Sequence, residues 1–259
     1  MNKNKFLKNF NFKKKKVLIL GGLGLIGKDI VNTYLQLGAK VRVIDIKRDN
    51  KHNHNSSISY KYLDLTKNLS SEIIKKSLEG FGCPNIFINC SYPKTKDWDK
   101  NNFSFIKFRS LNQNLNSHLG SYTYFATVIA DLMKNKKIKG NIVQFSSIYG
   151  VVGQDTNLYK GTKMRENISY AAIKGGIISV TKLMASYYGR YNIRINTICP
   201  GGVQDKQNKI FLKNYGKKTP LGRLAKKDEI TNPVIFLSSE ASSYITGATL
   251  IVDGGLTII

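Results

Sequence analysis

Tyr170 and Lys174 stand four residues apart in the segment Tyr-Ala-Ala-Ile-Lys, whose apolar spacing is helical. Side chains at positions i and i+4 lie on the same face of a helix. A phenol has a pKa of about 10 in water, and a neighbouring ammonium group stabilises its anion. The pair therefore predicts a general acid/base, Tyr170, whose pKa is lowered by Lys174.

The same spacing occurs a second time, in Tyr159 and Lys163, so the motif alone does not decide between two tyrosines. Gly161 and Thr162 lie inside this second copy, and both are poor residues for a helix interior. Tyr170 instead opens a run of small and apolar residues, which suits a helix packed on a sheet. We therefore assign the acid/base role to Tyr170 and expect Tyr159 to affect substrate affinity at most.

A glycine-rich turn follows the first apolar segment of the chain. Residues 17–20 predict a strand, Gly21, Gly24 and Gly27 come next, and helically spaced apolar residues continue to Gly38. A strand, a glycine turn and a helix in this order present backbone N–H groups to a pyrophosphate, and a Cβ atom would block its approach. The turn predicts a dinucleotide-binding site.

Asp45 ends the next predicted strand, residues 41–44, and lies eighteen residues after Gly27. A carboxylate there accepts hydrogen bonds from ribose hydroxyls and repels a 2′-phosphate, which predicts that NAD(H) is preferred over NADP(H). Lys47 and Arg48 lie just beyond and offer an alternative in which a phosphate is held. Because the chain is rich in lysine, we interpret both as surface residues.

Further strands alternate with helices along the chain. Residues 60–63, 86–89 and 141–145 predict strands, whereas residues 69–79 and 112–133 predict helices. This alternation indicates an α/β fold: one doubly wound parallel sheet with helices on both faces, whose ligands lie at the carboxyl ends of the strands. The polar residues at these predicted strand ends, in addition to the glycine turn, are Asp45, Asp64, Asn89 and Ser147.

Composition sets the domain organisation and the compartment. The chain has 259 residues, 41% of them hydrophobic, which suits one domain over 17–259 after a basic, partly disordered lead-in over 1–16. No apolar run reaches the roughly 18 residues of a membrane helix, and no signal peptide is indicated. Three cysteines without metal-ligand spacing, and His52 and His54 in a polar loop over 50–57, predict no metal site. We expect a cytoplasmic protein.

The formal net charge of +25 admits a nucleic acid, an anionic membrane or an anionic substrate as partner. The charge is spread along the whole chain and is carried mainly by lysine, whereas readers of bases and phosphates favour arginine. We interpret it first as a coding bias towards lysine. Steering of an anionic substrate is the second interpretation, and nucleic-acid binding is not favoured.

Together these features resemble the classical short-chain dehydrogenase/reductase family over residues 17–259. The resemblance rests on the glycine turn, Asp64, Asn89, Ser147 as second of a serine pair, Tyr170 with Lys174, and the later Pro200-Gly201 and Val252-Asp-Gly-Gly. It implies a Rossmann fold, a homodimer or homotetramer packed through residues 112–133 and 170–190, and catalysis by Ser147, Tyr170 and Lys174. The implied cofactor-binding residues are Gly21, Gly24, Leu25, Ile26, Gly27, Asp45, Asp64, Leu65, Asn89, Cys90, Ser91, Tyr170, Lys174, Pro200, Gly201 and Val203.

Three departures from the family pattern concern the active site. Ser147 and Tyr170 are twenty-three residues apart, where the family commonly has about a dozen, so an insertion near 155–167 should lie beside the site. The family's fourth catalytic residue, an Asn that holds a relay water, aligns with His118; Asn114 and Asn116 are alternatives. Asp205 occupies the spacing of a Thr that contacts the nicotinamide. These departures resemble a branch linked to bacterial surface-sugar and flagellin-glycan biosynthesis.

The expected function is NAD(H)-dependent hydride transfer to or from a carbonyl or secondary alcohol of a polar substrate, most simply a sugar or sugar derivative. The segments 155–167 and 202–219 should flank the nicotinamide and are rich in polar and basic residues. One alternative is a reductase of carrier-bound 3-oxoacyl chains. Another is a catalytically idle scaffold that binds NAD or nucleic acid, although Ser147, Tyr170 and Lys174 argue against it.

Overall fold

The computed structural model describes residues 7–48, 56–67 and 69–259. Within them, the strands form one sheet in the order β3-β2-β1-β4-β5-β6-β7, and every neighbouring pair is parallel. The predicted doubly wound α/β class is therefore confirmed. The strands are β1 (Lys16–Leu20), β2 (Lys40–Asp45), β3 (Ile58–Tyr62), β4 (Ile86–Asn89), β5 (Gly140–Phe145), β6 (Ile193–Pro200) and β7 (Thr249–Val252).

Helices cover both faces of this sheet, because side chains of each strand point alternately to opposite faces. Leu18 of β1 belongs to a core under α2, α4 and α5, whereas Ile19 belongs to a core under α1 and α7. The helices are α1 (Leu25–Gln36), α2 (Ser71–Lys76), α3 (Phe108–Asn114), α4 (Ser121–Asn135), α5 (Ile168–Tyr188), α6 (Lys209–Lys218) and α7 (Asp228–Ser238).

Some predicted boundaries were wrong. β3 begins two residues before the predicted start at Tyr60, and α2 is shorter than residues 69–79 because the side chain of Ser70 accepts a hydrogen bond from the backbone of Ile73 and caps the helix. The helix predicted over 112–133 extends from α3 to α4 and is interrupted by a π-helical segment, Leu115–Gly120. Such segments often occur at functional sites.

Residues before β1 contribute to the core. Phe12 is buried and its ring packs edge-on against Tyr34 of α1, with the ring centroids 5.3 Å apart. The first six residues of the expected lead-in lie outside the described residues, as do His52 and His54. In the part of the chain that the structure describes, no helix is long and apolar enough to span a membrane, and no three His, Cys, Asp or Glu side chains form a metal-binding group.

Candidate active site

The glycine turn joins the end of β1 to α1 at a close approach of three backbone segments. Gly21 has a φ of 83°, and a Cβ on it would lie 2.6 Å from the Cα of Ser91, beyond the end of β4. A Cβ on Gly27 would lie 2.3 Å from the Gly21 carbonyl oxygen. Gly24 precedes α1 without a side-chain cap, and the first turn carries no acidic residue. The N–H groups in the first turn of α1 are therefore available to an anion.

Asp45 is the polar group beside this turn. Its two carboxylate oxygens accept hydrogen bonds from the backbone N–H groups of Leu23 and Lys47, each at 2.9 Å. Asp45 lines a cavity of 410 Å³ together with the predicted cofactor residues Asp64 and Leu65. Asp45 therefore connects the glycine turn to the cavity at the ends of β2 and β3.

Lys47 and Arg48 are both exposed, as expected for surface residues. The guanidinium group of Arg48 lies 5.3 Å from the centroid of the Tyr62 ring, at the end of β3. This contact is a cation–π interaction. It offers Arg48 a partner in the protein and does not require a bound phosphate.

Asn89, at the end of β4, is fully buried and holds an unpaired donor. Its side-chain oxygen accepts a hydrogen bond from the Ser91 hydroxyl at 2.9 Å, and its carbonyl oxygen accepts one from the Tyr122 hydroxyl at 2.7 Å. Its Nδ2 group has no hydrogen-bond partner among the described residues. A buried donor without an acceptor costs free energy that a ligand can recover. The unpaired amide and the glycine turn both fit a dinucleotide.

A hydrogen bond and a close backbone contact connect the end of β5 to α5. The Ser146 hydroxyl donates a hydrogen bond to the carbonyl oxygen of Lys174 at 2.7 Å. Gly150, in the short turn after Ser147, approaches the same peptide so closely that a Cβ would lie 2.6 Å from the Lys174 carbonyl carbon. The two contacts determine where the serine pair stands relative to the helix.

Tyr170 lies in the first turn of α5, where Asn167 caps the helix. The Asn167 side-chain oxygen accepts a hydrogen bond from the backbone N–H of Tyr170 at 2.8 Å. The Tyr170 side chain is hydrogen-bonded to Ser147, which lowers the pKa of the phenol, but burial has the larger effect and raises that pKa to about 12. The structure thus brings together Ser147 and Tyr170, as the sequence predicted.

Lys174 lies one helical turn after Tyr170 and is buried. Its Nζ donates a hydrogen bond to the Phe145 carbonyl oxygen at 3.0 Å and lies 5.7, 5.5 and 5.6 Å from the ring centroids of Tyr92, Tyr122 and Tyr170. Burial lowers the pKa of Lys174 to about 7. We expected the ammonium group to lower the pKa of Tyr170, but burial is the larger influence on both groups.

His118 lies in the π-helical segment and is fully buried. Its ring packs against Tyr92 and Tyr122, with centroids 5.3 and 5.2 Å away. Burial lowers the pKa of His118 well below 6.5; the charge of Lys174 lowers it further, while the Pro93 backbone opposes the shift. The two ring nitrogens make no hydrogen bond of normal geometry with the described residues. Burial therefore favours the neutral imidazole.

The two alternatives to His118 are placed elsewhere. The side-chain oxygen of Asn114 accepts a hydrogen bond from the Thr95 backbone N–H at 3.0 Å. Its Nδ2 donates to the Thr95 hydroxyl at 2.9 Å and to the Ser110 carbonyl oxygen at 3.0 Å. Asn116 is exposed and lines a different surface cavity. Of the three candidates, His118 is the one that packs on Tyr92 and Tyr122, whose rings also surround the Lys174 ammonium group.

Tyr159 ends a 3-10 turn, Thr156–Tyr159, and Gly161 follows with a φ of 77°. Because this left-handed residue stops the turn, Tyr159 and Lys163 do not share a helix face. The Tyr159 hydroxyl donates a hydrogen bond to the Tyr149 hydroxyl at 3.3 Å. The insertion thus lies beside the serine pair, and its tyrosine meets another phenol.

The sequence analysis missed three aromatic residues around Tyr170. The ring centroids of Tyr92, Trp98 and Tyr149 lie 6.0, 6.2 and 6.4 Å from that of Tyr170. Tyr92 and Tyr149 follow the ends of β4 and β5, so their place at strand ends was a signal that could have found them. Trp98 carries no such signal.

A second cavity of 310 Å³ continues the first. It is lined by Tyr170 and Lys174, and it shares Gly24, Cys90, Ser91 and Tyr92 with the Asp45 cavity. The two cavities therefore form one groove across the carboxyl ends of the strands. The other predicted cofactor residues in the second cavity are Leu25, Ile26, Gly27, Pro200, Gly201 and Val203.

The polar residues expected to face the substrate are either hydrogen-bonded within the protein or exposed at its surface. The side-chain oxygen of Gln154 accepts a hydrogen bond from the Asn167 backbone at 2.8 Å, and Gln207 donates one to the Val203 carbonyl at 2.6 Å. Asp205 is exposed. The remaining polar and basic residues of that expectation are exposed at the surface: Asn157, Lys160, Lys163, Arg165, Gln204, Lys206, Lys209 and Lys213.

Comparison with known proteins agrees with this geometry. The family model described as enoyl-(acyl carrier protein) reductase matches residues 24–257. Post-translational flagellin modification protein A of Campylobacter coli is 30% identical over 250 residues, which cover 93% of this chain and 97% of that protein. A 3-oxoacyl-acyl-carrier-protein reductase of Chlamydia muridarum is 32% identical over 256 residues, with coverages of 93% and 97%.

A sugar dehydrogenase and a solved structure extend the comparison. L-Rhamnose-1-dehydrogenase of Scheffersomyces stipitis is 28% identical over 266 residues, which cover 94% of this chain and 96% of that protein. The crystal structure of a short-chain dehydrogenase from Leptospira borgpetersenii with bound NAD+ superimposes with a TM-score of 0.85 at 34% identity, covering 96% of this chain and 95% of that one. The chain belongs to the short-chain dehydrogenase/reductase family of nicotinamide-dependent oxidoreductases.

Proposed function

We propose that the protein transfers hydride between NAD(H) and a carbonyl or secondary alcohol of a polar, hydroxyl-rich substrate, most simply a sugar or sugar derivative. The observation that carries this proposal is one groove with two ends. Tyr170 and Lys174 line one end, and Asp45 lines the other. A dinucleotide bound along this groove would place its reactive ring beside the phenol.

The preference for NAD(H) rests on Asp45. Two backbone hydrogen bonds hold its carboxylate at the end of β2, so the negative charge cannot swing away from the cavity. A 2′-phosphate would meet this charge, whereas ribose hydroxyls would donate to it. The glycine turn would hold the pyrophosphate, and Asn89 would offer its unpaired amide.

The chain's own residues supply the proton chemistry. Ser147 would donate a hydrogen bond to the substrate oxygen as charge develops there, and Tyr170 would exchange the proton. Because burial raises the pKa of Tyr170 to about 12, the phenol carries its proton at neutral pH, as reduction of a carbonyl requires. Lys174, whose Nζ lies 5.6 Å from the centroid of the Tyr170 ring, would stabilise a phenolate and hold the nicotinamide ribose. A bound nicotinamide supplies or accepts the hydride.

His118 is proposed as the fourth member of this group. An imidazole can pass a proton as a water held by an amide can. Its neutral ring lies between Tyr92 and Tyr122, on the side of the Lys174 ammonium. It would take the place of the Asn that holds the relay water in the family.

Two kinds of relative support different substrates. The flagellin modification protein and the L-rhamnose dehydrogenase favour a sugar, and the phenols around Tyr170 offer hydroxyl groups to such a ligand. The 3-oxoacyl reductase relative and the exposed lysines favour a carrier-bound chain, whose phosphate the lysines could meet. We place the sugar first because the phenols of Tyr92 and Tyr149 lie around Tyr170.

Activity screening tests the proposal. We expect NADH to be consumed with at least one keto-sugar, or NAD+ to be reduced with a sugar alcohol, and we expect Tyr170→Phe protein to show neither. Robust reduction of an acetoacetyl thioester, with no turnover of any sugar, would show that the substrate is an acyl chain and not a sugar. Equal use of NADPH by the unmodified protein would show that Lys47 and Arg48 outweigh Asp45.

We further propose that the protein works as a homodimer or homotetramer in the cytoplasm. Leu183 and Tyr187 of α5 are 71% and 45% exposed, which leaves apolar surface for a second copy to cover. The cysteines Cys83, Cys90 and Cys199 are free, in keeping with a reducing compartment. Sedimentation of the purified protein tests the assembly: a monomer at micromolar concentration would reject it.

A further inference from the structure

A pair of phenols lies beside Tyr170 and is not used by the proposed reaction. Tyr149 packs its ring against Tyr170 at a centroid distance of 6.4 Å and an angle of 76°. Tyr159, from the insertion, donates a hydrogen bond to the Tyr149 hydroxyl at 3.3 Å. The pair therefore stands between the insertion and the reacting phenol.

The pair has one hydrogen-bond donor more than it uses. Two phenols carry two O–H groups, and their mutual bond employs one of them. Within the described residues, neither hydroxyl makes another hydrogen bond. Burial raises the pKa of both groups, so both keep their protons at neutral pH. One O–H group of the pair, beside the Tyr170 ring, is therefore free to bind a ligand oxygen.

The pair is held in place from the outside by α6. The ring of Tyr159 stacks on Phe211 with the centroids 6.2 Å apart and the planes at 10°. Asn214 donates hydrogen bonds to the carbonyl oxygens of Leu158 and Lys160, on both sides of Tyr159, at 3.3 and 2.9 Å. A donor held in this way loses little conformational entropy when it binds, so it can discriminate between ligands.

We propose that this phenol pair binds a hydroxyl group on the carbon next to the reacting carbon. The enzyme then selects vicinal diols and α-hydroxy ketones over plain alcohols and ketones. The inference rests on the proposed function, because the reacting carbon is the one whose oxygen Tyr170 serves. The ring contact between Tyr149 and Tyr170 places the pair next to the residue that serves this oxygen.

Binding of two matched ligands tests the inference without requiring turnover. Trp98 is the only tryptophan of the chain, and its ring lies 6.2 Å from that of Tyr170, so its fluorescence reports on this cavity. Protein saturated with NAD+ is titrated with trans-cyclohexane-1,2-diol and with cyclohexanol. We expect the diol to bind roughly threefold to tenfold more tightly, the worth of one neutral hydrogen bond.

Single and double variants assign the contact. Tyr149→Phe should bring the ratio of the two dissociation constants to about one, because it removes the hydroxyl whose proton is free. Tyr159→Phe should lower the ratio less, and the double variant should lose no more than Tyr149→Phe. Tyr244→Phe, at a side chain that is 102% exposed, is the matched control and should keep the ratio.

Equal binding of the two ligands by the unmodified protein, or an unchanged ratio in Tyr149→Phe, would overturn the inference. A purely structural role for the pair would weaken both ligands equally and leave the ratio as it was. Failure of the proposed function has a different signature. No carbonyl would then be reduced by NADH, while the preference for the diol would persist and still support the phenol pair as a binding site.

Discussion

The two ends of the groove are built in different ways. At the cofactor end, glycines and backbone N–H groups form the surface, and the Asp45 carboxylate is held by two backbone hydrogen bonds. At the catalytic end, Lys174 and His118 are buried and Tyr170 is half-buried among aromatic rings, and the loss of water shifts the pKa of all three. Recognition at the first end therefore depends on shape and fixed charge, and chemistry at the second depends on desolvation.

The largest expected effect concerns the catalytic end. Tyr170→Phe should lower kcat by about 10² to 10⁴, the usual contribution of a general acid or base, while NADH still binds. Tyr159→Phe is the matched control and should change substrate affinity at most, because the Tyr159 hydroxyl bonds to Tyr149 and not to Tyr170. Steady-state kinetics and NADH titration check both. Loss of turnover in the Tyr159 variant and its survival in the Tyr170 variant would reverse the assignment.

Stability should reveal the buried ammonium group. The folded pKa of Lys174, about 7, lies below its ordinary value of 10.5, so the unfolded chain binds more protons between these values and stability rises with pH there. Lys174→Met removes this dependence. The variant should be more stable than the wild type at pH 7, and its advantage should shrink by about 2 kcal/mol by pH 9.

Urea unfolding of the nucleotide-free protein at both pH values measures that difference. Lys134→Met offers a control on the exposed surface of α4, where Asp131 lies 3.1 Å from the Lys134 ammonium group. An advantage of Lys174→Met that stays constant between pH 7 and 9 would show that the lysine remains charged in its aromatic surroundings.

At the cofactor end, the expected effect is smaller and concerns the preference between NAD(H) and NADP(H) rather than the turnover rate. NAD(H) should bind at least about tenfold more tightly than NADP(H), about 1.4 kcal/mol, and Asp45→Ala should narrow this gap. Lys47→Ala is the control at the neighbouring exposed position and should leave the ratio of the two affinities unchanged. Fluorescence titration with both cofactors decides whether the fixed carboxylate or the basic pair sets the preference.

The smallest effect is expected at His118. Because burial lowers its pKa well below 6.5, we expect the ring to add no acid limb to the rate profile near pH 6.5. His118→Asn should keep kcat/KM within about threefold, since an amide can also hold a relay water. An acid limb near pH 6.5 that disappears in the variant would mean that the imidazole titrates after all.

The difference between the two ends also explains what could be predicted from the sequence. The glycine turn and Asp45 stand at the carboxyl ends of two successive predicted strands. The parallel α/β order therefore predicted that they lie close together. The Tyr149–Tyr159 bond depends on the path of the insertion, and the packing of Trp98 on Tyr170 joins residues seventy-two positions apart. Neither is encoded in local periodicity.

The effect of burial on the pKa of Tyr170 was the second feature that the sequence did not predict. The spacing of Tyr170 and Lys174 predicted correctly that they share a helix face, but the sign of the pKa shift depends on how much water the surrounding rings exclude. Those rings come from Tyr92 and Tyr122, on other elements of the fold. Spacing along one helix could not reveal them.

Deuterium transfer tests the central claim most directly. Wild-type protein and Tyr170→Phe are incubated with NADH deuterated at C4 and with a panel of keto-sugars and 2-hydroxycyclohexanone, and the products are analysed by mass spectrometry. We predict one deuterium in the reduced carbon of at least one product with the wild type and none with the variant over the same time. Products without deuterium from every carbonyl, or equal labelling by the variant, would contradict hydride transfer assisted by Tyr170.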